Sequence, residues 1–311
     1  MILCVALNPS IDRTTFIDEL KPHDTNRIVR TEMDAGGKGI NVARMLTALG
    51  TDSVVLAPLG GAEGEMVKHV MQRGRVRAEV VEISEATRVN VMIEERSGGP
   101  PTTLNEKGPE LSGEELSRLS ESYRRLVASA SHVVLGGSLL SGMDSDVFAA
   151  MMRVAKEVGD AKTVVDADGE PMMRCLNERP FLTKPNGAEA GRVLKSPVSS
   201  PTDAIAAAEK IAEFGVSISL VSMGSEGCAM FCDGSKYWAS APKVVVKSTI
   251  GAGDSLVAGF LSAMTKGCSR TDCLALAVAA GAATAMSDGA SIGDEMQVRN
   301  LLERVSVERV N

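Results

Sequence analysis

Short apolar runs alternate along the chain with longer segments in which apolar residues recur every three or four positions. The short runs predict strands; they lie at 2–7, 53–60, 132–137, 163–168, 181–186 and 217–223. The longer segments predict amphipathic helices, and most of them end at glycine; they lie at 40–50, 63–74, 113–130 and 204–215. This alternation predicts a parallel sheet with helices on both faces.

Two segments depart from the alternation. Residues 12–34 are polar and extended in character, and residues 87–106 alternate apolar and polar positions as a half-exposed pair of strands would. We expect them to form a small β layer attached to the main domain. Because an exposed sheet is a liability unless it covers a ligand or a partner, this layer is predicted to act as a lid. A further strand-like run lies at 243–248.

Distinctive polar motifs follow the predicted strands at their carboxyl ends, where ligands bind in open α/β sheets. These motifs are NPSIDR from residue 8, GGS from 136, DADGE from 166, KPNGAE from 184 and SMGSEG from 222. Since parallel strands end at one edge of the sheet, the motifs predict one composite site.

The stretch TIGAGDSLVAGFL (249–261) places Gly251 and Gly253 beside Asp254 at the start of an apolar helix. Leu256 stands where a dinucleotide fingerprint needs its third glycine, and the Gly-Lys-Ser/Thr of a Walker loop is missing. Unpaired N–H groups at such a helix start bind an oxyanion or a phosphoryl group. Asp254 itself fits two roles equally well, a helix cap or a base that accepts the proton of an attacking hydroxyl.

Length and charge narrow the class of protein. The 311 residues suffice for one large α/β domain or two smaller ones, and 44% hydrophobic and 23% charged residues are ordinary for a globular protein. A net charge of −7 argues against general nucleic-acid binding. An anionic substrate would therefore be held by a few local cations.

The cysteines and the N-terminus indicate a cytoplasmic protein. The six cysteines have neither CxxC spacing nor a neighbouring histidine cluster, so we expect reduced, mostly buried thiols and no zinc site. The apolar N-terminal run is cut by Asn8-Pro9 and is too short for a signal or a membrane span. No membrane partner is expected.

Two stretches, AGGKGINVARMLTALG (35–50) and STIGAGDSLVAGF (248–260), resemble the signature regions of the ribokinase-like carbohydrate kinases of the phosphofructokinase B type. TRVNV, GGSLLSG, TKPNGAE and SMGSEG occur in that family's order and spacing, so the resemblance covers nearly the whole chain. It implies one sugar-kinase domain over 1–311, with three α/β/α layers, a mostly parallel central sheet and a β-sheet lid from about 12–34 and 87–106. It also implies ATP-dependent phosphorylation of a sugar alcohol.

The resemblance assigns the glycine-rich stretch to catalysis. Asp254 becomes the base, and the anion hole is formed by Gly251, Ala252 and Gly253. A capping role for Asp254 is compatible with this assignment.

Further residues are assigned to the sugar phosphate. Asp12 and Asn41 would bind hydroxyl groups, because Asp and Asn offer paired acceptors and donors. The other residues implied at the substrate are Arg27, Gly36, Gly37, Lys38, Arg88, Asn90 and Ser138. Of these, the cations would reach the substrate phosphate. From the residues alone, the alternative interpretation is a glycine-rich turn, a turn role for Asp12 and solvated cations. Leu140 replaces the usual proline of GSLPxG, which bears on the fit of the substrate.

The nucleotide side is implied in the same way. Residues assigned to ATP are Lys184, Asn186, Ser222, Gly224, Gly227 and Thr249. Glu189 would organise Mg²⁺ through water, and a monovalent cation such as K⁺ is a further candidate cofactor. The plain alternatives are an Asn186–Glu189 capping box and a hairpin turn at SMGSEG. Asp166 belongs either to the magnesium network or to the strand end.

The motif GGKGIN together with LNPSIDRT is typical of the family's hexose-phosphate kinases. The expected reaction is the phosphorylation of fructose 1-phosphate, with tagatose 6-phosphate and fructose 6-phosphate as alternatives. A catalytically silent sensor is a remote alternative, since Asp254 and its glycines are present. A dehydrogenase is disfavoured, because NPSID replaces the fingerprint after the first strand. Similar enzymes pair their lids, so a homodimer through the lid is expected.

Overall fold

Two β-sheets organise residues 1–98 and 101–310, the part of the chain that the computed structural model describes. The strands are β1 Ile2–Val5, β2 Ser10–Ile17, β3 Ile28–Gly36, β4 Ser53–Leu59, β5 Ala78–Glu82, β6 Arg88–Glu95, β7 Thr102–Asn105, β8 His132–Gly136, β9 Lys162–Asp166, β10 Leu182–Thr183, β11 Ile218–Ser222, β12 Gly227–Cys232, β13 Ser235–Ser240 and β14 Ser306–Val310. The helices are α1 Lys38–Ala48, α2 Gly61–Arg73, α3 Gly113–Val127, α4 Val147–Val158, α5 Gly169–Asn177, α6 Gly187–Leu194, α7 Pro201–Ala212, α8 Ala252–Thr265, α9 Arg270–Ala285 and α10 Glu295–Leu302.

The large sheet has the strand order β14-β13-β12-β11-β10-β9-β8-β1-β4-β5. Neighbours from β5 to β11 pair in parallel, and β11 to β14 pair antiparallel. Each of the six predicted strand runs overlaps a strand of this sheet. The mostly parallel α/β/α architecture predicted from the sequence is therefore confirmed.

Alternation within the strands explains the two helical layers. In β1, Ile2 and Cys4 pack into one core cluster with α1, α8 and α9, whereas Leu3 and Val5 pack into the other with α3, α4 and α7. Successive side chains of a strand point to opposite faces, so a fully apolar strand needs cover on both.

The small sheet has the order β3-β2-β6-β7. Strands β6 and β7 fall within the predicted segment 87–106, and β2 and β3 extend two residues beyond either end of the predicted segment 12–34. The predicted segment 87–106 includes residues 99 and 100, which lie outside the described residues, as does residue 311 of the predicted domain. Strand β2 pairs antiparallel with β3 and parallel with β6. Large apolar side chains are exposed on this sheet at Ile28, Val29, Met33 and Leu104.

The prediction of a strand at 243–248 is wrong. Those residues form an irregular segment in which Val245 is 79% exposed. The edge of β13 is taken instead by the C-terminal strand β14. The segment is fixed through the amides of Lys247 and Ser248, which donate to the carbonyl of Ala285.

The remaining general expectations concern cysteines and membranes. Cys268 is exposed and the other five cysteines are buried, all as free thiols, which agrees with the expected burial. In residues 1–98 and 101–310 no helix combines the length and apolarity needed to cross a membrane.

Candidate active site

The glycine-rich stretch forms the start of α8. Gly251 is the N-cap residue and has φ 72°, in the left-handed region that glycine adopts without strain. The helix begins at Ala252, so the N–H groups of its first turn have no partner within the helix. The Nζ of Lys184 lies 3.3 Å from the position that a Cβ on Gly253 would occupy. A cation therefore stands against this turn, and the two together favour an anion.

Asp254 lies in the first turn of α8 and is only 6% exposed. Its Oδ2 accepts a hydrogen bond of 2.9 Å from Nδ2 of Asn41 in α1. Burial raises its pKa to about 6, with Lys38 opposing the rise and Asp166 adding to it. A carboxylate with a raised pKa, oriented by one amide, is suited to accept a proton.

Lys38, Asp166 and Lys184 form a charged cluster, called here the lysine–aspartate cluster. The Nζ of Lys38 lies 2.8 Å from Oδ1 of Asp166, and the Nζ of Lys184 lies 3.5 Å from Oδ2. Burial alone raises the pKa of Asp166, but the charges of Lys184 and Lys38 outweigh it and lower the pKa. Burial likewise lowers the pKa of Lys38, and Asp166 and Asp254 more than restore it. Lys38 and Asp166 are therefore charged at neutral pH.

A second polar group is built on the small sheet around Asp12. Its Oδ1 accepts from Ser10 Oγ at 2.7 Å and from Asn90 Nδ2 at 2.8 Å. A Cβ on Gly36 would lie 2.2 Å from the carboxylate of Asp12, so only glycine fits this position. Strand β2 contributes Ser10 and Asp12, β3 contributes Gly36 and β6 contributes Asn90. The pairing of these strands explains why segments far apart in sequence meet here.

The third group surrounds Arg88 and is called here the arginine cluster. One guanidinium nitrogen, Nη2, donates to the carbonyl of Asn8 at 2.9 Å and to Ser138 Oγ at 3.0 Å. The amide of Asn8 in turn donates to Ser138 Oγ at 3.3 Å. Asn8 belongs to the NPSIDR motif predicted at the ligand edge, but no individual role is predicted for it from the sequence. Its place directly after the first strand, at the ligand edge, was the available signal.

The start of α8, Lys38 and the arginine cluster meet in one cleft of about 210 Å³. It is lined by Ala6, Leu7, Asn8, Gly37, Lys38, Asn41, Arg88, Gly136, Gly137, Ser138, Ile250, Gly251 and Asp254. The Asp12 group adjoins this cleft through Gly36, the chain neighbour of the lining residue Gly37. Among the described residues, Oδ1 of Asn41 and Oδ1 of Asn90 are buried without a hydrogen-bond partner. Buried polar atoms are normally paired, so these oxygens fit a ligand that carries hydroxyl groups.

The residues assigned to the nucleotide lie at the ends of β10 and β11. Asn186 and Glu189 form a capping box at the start of α6, with hydrogen bonds of 2.9 Å and 2.7 Å. Ser222 is joined to this segment, because its amide donates to the carbonyl of Pro185. The box uses Oε2 of Glu189, and the carboxylate is half-buried, so a second oxygen remains for a water-bound Mg²⁺. The capping box predicted for these residues is therefore observed, and it is compatible with a magnesium role for Glu189.

The turn between β11 and β12 carries the other assigned glycines. Gly224 has φ 58° and Gly227 has φ 138°, both in the region that favours glycine. A Cβ on Gly227 would lie 1.9 Å from the carbonyl oxygen of Ala239. Thr249 is exposed just before the start of α8. The turn, α6 and the start of α8 thus share the carboxyl edge of the sheet.

Among the residues assigned to the substrate, Arg27 lies far from the cleft of its own chain. It is exposed and precedes Ile28, which pairs with Ile17, whereas Gly36 at the cleft pairs with Ser10. Eight residues of extended strand separate the two ends by roughly 27 Å.

Comparison with known proteins agrees with this geometry. The model of the pfkB family carbohydrate kinases matches residues 2–296, and the chain belongs to that family. It is therefore a phosphotransferase with an alcohol group as acceptor.

Among its relatives, the 1-phosphofructokinase of Bacillus subtilis is 33% identical over 310 residues, which cover 100% of both chains. The tagatose-6-phosphate kinase of Staphylococcus epidermidis is 32% identical over 85% of each chain. The crystal structure of phosphofructokinase-2 from Escherichia coli in complex with potassium superposes with a TM-score of 0.90, at 26% identity, over 97% of this chain and 98% of that one.

Proposed function

We propose that this protein transfers the γ-phosphoryl group of ATP to the free primary hydroxyl of fructose 1-phosphate, giving fructose 1,6-bisphosphate. The observation that carries the proposal is the cleft itself, which has the arginine cluster at one part of its lining and Asp254 with Lys38 at another. A sugar that already bears one phosphate needs both groups. Full-length similarity to a 1-phosphofructokinase supports the choice of sugar.

In the proposed reaction Asp254 accepts the proton of the attacking hydroxyl, which its pKa of about 6 permits at neutral pH. The N–H groups after Gly251, with Lys184 against Gly253, stabilise the charge on the transferring group. ATP supplies the phosphoryl group, and Glu189 would hold a water-bound Mg²⁺ that would neutralise part of its charge. Arg88 and Ser138 hold the resident phosphate, and Asp12, Asn41 and Asn90 hold the sugar hydroxyls. The resemblance implies that Lys38 lies at the resident phosphate. Because its ammonium group lies beside Asp166 and it lines the cleft with Asp254, we propose that it contacts the transferring phosphoryl group instead.

Tagatose 6-phosphate and fructose 6-phosphate are the alternative substrates. A tagatose-6-phosphate kinase is similar at 32% identity, and all three sugars are furanoses with a phosphate at one end and a primary hydroxyl at the other. The three sugar phosphates are compared as substrates with MgATP, and the rate of ADP formation is measured for each. We expect the highest kcat/KM with fructose 1-phosphate. If kcat/KM is higher for either 6-phosphate, that sugar replaces fructose 1-phosphate in the assignment. If the protein phosphorylates none of the three sugars, the proposed function is wrong.

Activity should fall on the acid side of about pH 6, because burial raises the pKa of Asp254 to about that value. A protonated carboxyl cannot accept the hydroxyl proton, so log kcat/KM is expected to rise with unit slope below this pH and to level off above it. The profile is measured by direct detection of ADP, without coupling enzymes. An acid limb near pH 4, the ordinary range of a carboxyl group, would contradict the assignment of the buried Asp254.

We also propose that the small sheet is the lid of a single catalytic domain and that two lids pair in a homodimer. Ile28 and Val29 lie at the far end of β3 and are 60% and 66% exposed, which favours apolar cover. In such a dimer Arg27 meets a second subunit rather than the cleft of its own chain. The cytoplasm is the proposed location, and K⁺ the proposed monovalent cofactor, since the similar Escherichia coli structure is described with potassium.

Val29→Asp should convert the dimer into a monomer, because a charge in an apolar interface is costly to bury. Light scattering at micromolar concentration measures the mass. Met296→Asp is the matched control, since Met296 is 68% exposed in α10, away from the small sheet. A wild-type protein that is monomeric and fully active would contradict the homodimer.

A further inference from the structure

Asp166 is a buried carboxylate that the mechanism above does not use. Asp166 ends β9, and its side chain is 4% exposed, yet it contacts neither the sugar group around Asp12 nor the arginine cluster. Its two oxygens instead face two lysines from different elements, Lys38 at the start of α1 and Lys184 just after β10. Buried carboxylates are expensive, so a carboxylate at this point of the sheet calls for a reason.

The backbone around Asp166 leaves room for this arrangement. Gly136 is its register partner on β8, and a Cβ there would lie 2.2 Å from the carbonyl oxygen of Asp166. A Cβ on the next glycine, Gly137, would touch the side chain of Lys38 at 3.7 Å. Gly136 thus permits the close approach of the two strand ends, and the Lys38 side chain packs over Gly137 on its way to Asp166.

The two lysines have separate destinations. Lys184 is 4% exposed in its side chain and lies against Gly253 in the first turn of α8. Lys38 is one-third exposed in its side chain and lines the cleft with Asp254. Two neighbouring cations repel each other, and an unpaired buried ammonium is strongly destabilised. A carboxylate between them removes both costs and fixes both positions.

We propose that Asp166 is a positioning residue whose two carboxylate oxygens hold the ammonium group of Lys184 at the anion hole and that of Lys38 in the cleft beside Asp254. The inference rests on the proposed function for what the lysines do, since both would face the phosphoryl group during transfer. Preorganised cations contribute most when they need no rearrangement at the moment of reaction. Asp166 supplies that preorganisation without touching the substrate.

The first test needs no activity. In apo protein, the Nζ signals of Lys38 and Lys184 are followed by ¹⁵N NMR against pH and assigned with Lys38→Met and Lys184→Met. In the wild type, Lys38 should titrate above the ordinary range of a lysine, because of Asp166. In Asp166→Asn its pKa should fall, since burial then acts with less opposition. An unchanged Lys38 titration overturns the proposal, whatever the protein phosphorylates.

The second test is a double-mutant cycle on kcat. Lys184→Met should lower kcat by roughly 100-fold in the wild type but by less than 10-fold in Asp166→Asn, because the lysine has already lost its position there. Equal factors in the two backgrounds overturn the proposal. So does recovery of Asp166→Asn at high Mg²⁺, which would make Asp166 a metal-binding group.

Controls separate positioning from folding. Asp168→Asn is the matched variant, two residues further on, exposed and paired with Arg192 outside the cleft. It should keep kcat within a few-fold of the wild type. If Asp166→Asn does not fold, Asp166→Glu keeps the charge on a longer arm, and it should retain the Lys38 titration while lowering kcat. Loss of the raised Lys38 pKa in Asp166→Glu would contradict a carboxylate-held lysine.

Discussion

Asp254→Asn should lower kcat by about 10²- to 10⁴-fold, the range that a positioned general base contributes. Asparagine has the same shape, so the fold and ATP binding should persist while the ability to accept a proton is lost. The hydrogen bond from Asn41 reaches the same position in either case. Single-turnover rates with saturating ATP and sugar phosphate measure the chemical step directly.

The control for this variant lies in the next helix. Asp272 occupies the same position in the first turn of α9 as Asp254 does in α8, three residues after the N-cap, but it is exposed and bonded to Ser269. Asp272→Asn should cost a little stability and leave kcat near that of the wild type. Near-normal turnover of Asp254→Asn would remove Asp254 as the base and return it to the role of a helix-start residue.

Arg88→Ala should raise KM for the sugar phosphate by roughly 10- to 100-fold, with a much smaller change in KM for ATP. A hydrogen bond to a charged group contributes about 1.5–3 kcal/mol, which corresponds to that range. The guanidinium is already held by the carbonyl of Asn8 and by Ser138, so its direction is fixed before the ligand arrives. Initial-rate kinetics with each substrate varied in turn give the two constants.

Two further variants sharpen this prediction. Arg88→Lys keeps the charge but loses the planar fork, so its KM should fall between those of the wild type and Arg88→Ala. Arg96→Ala removes an arginine just beyond the end of the same strand, where the side chain is 86% exposed, and should change neither constant. A rise confined to KM for ATP would reverse the assignment of the two ends of the cleft.

The fold class followed from the sequence because its signal is local. Strand β1 is apolar on both faces, and the helices repeat every three or four residues, so neighbouring residues alone carry the pattern. A local signal also explains the wrong strand prediction at 243–248, where a valine-rich run has strand propensity. Whether such a run pairs depends on a free sheet edge, and β14, some sixty residues later, occupies that edge.

The features of the candidate site also fall into those set by local sequence and those set by tertiary contacts. The sequence alone determined the glycine-rich start of α8, the position of Asp254 in it and the capping box of Asn186, since each is a pattern of adjacent residues. Tertiary structure decided the partners: Asp166 between Lys38 and Lys184, and Arg88 on Asn8 and Ser138. These contacts join elements separated by tens to more than a hundred residues, so no local pattern contains them. Burial, which raises the pKa of Asp254, is likewise a property of the packed helices and sheet rather than of any stretch of the chain.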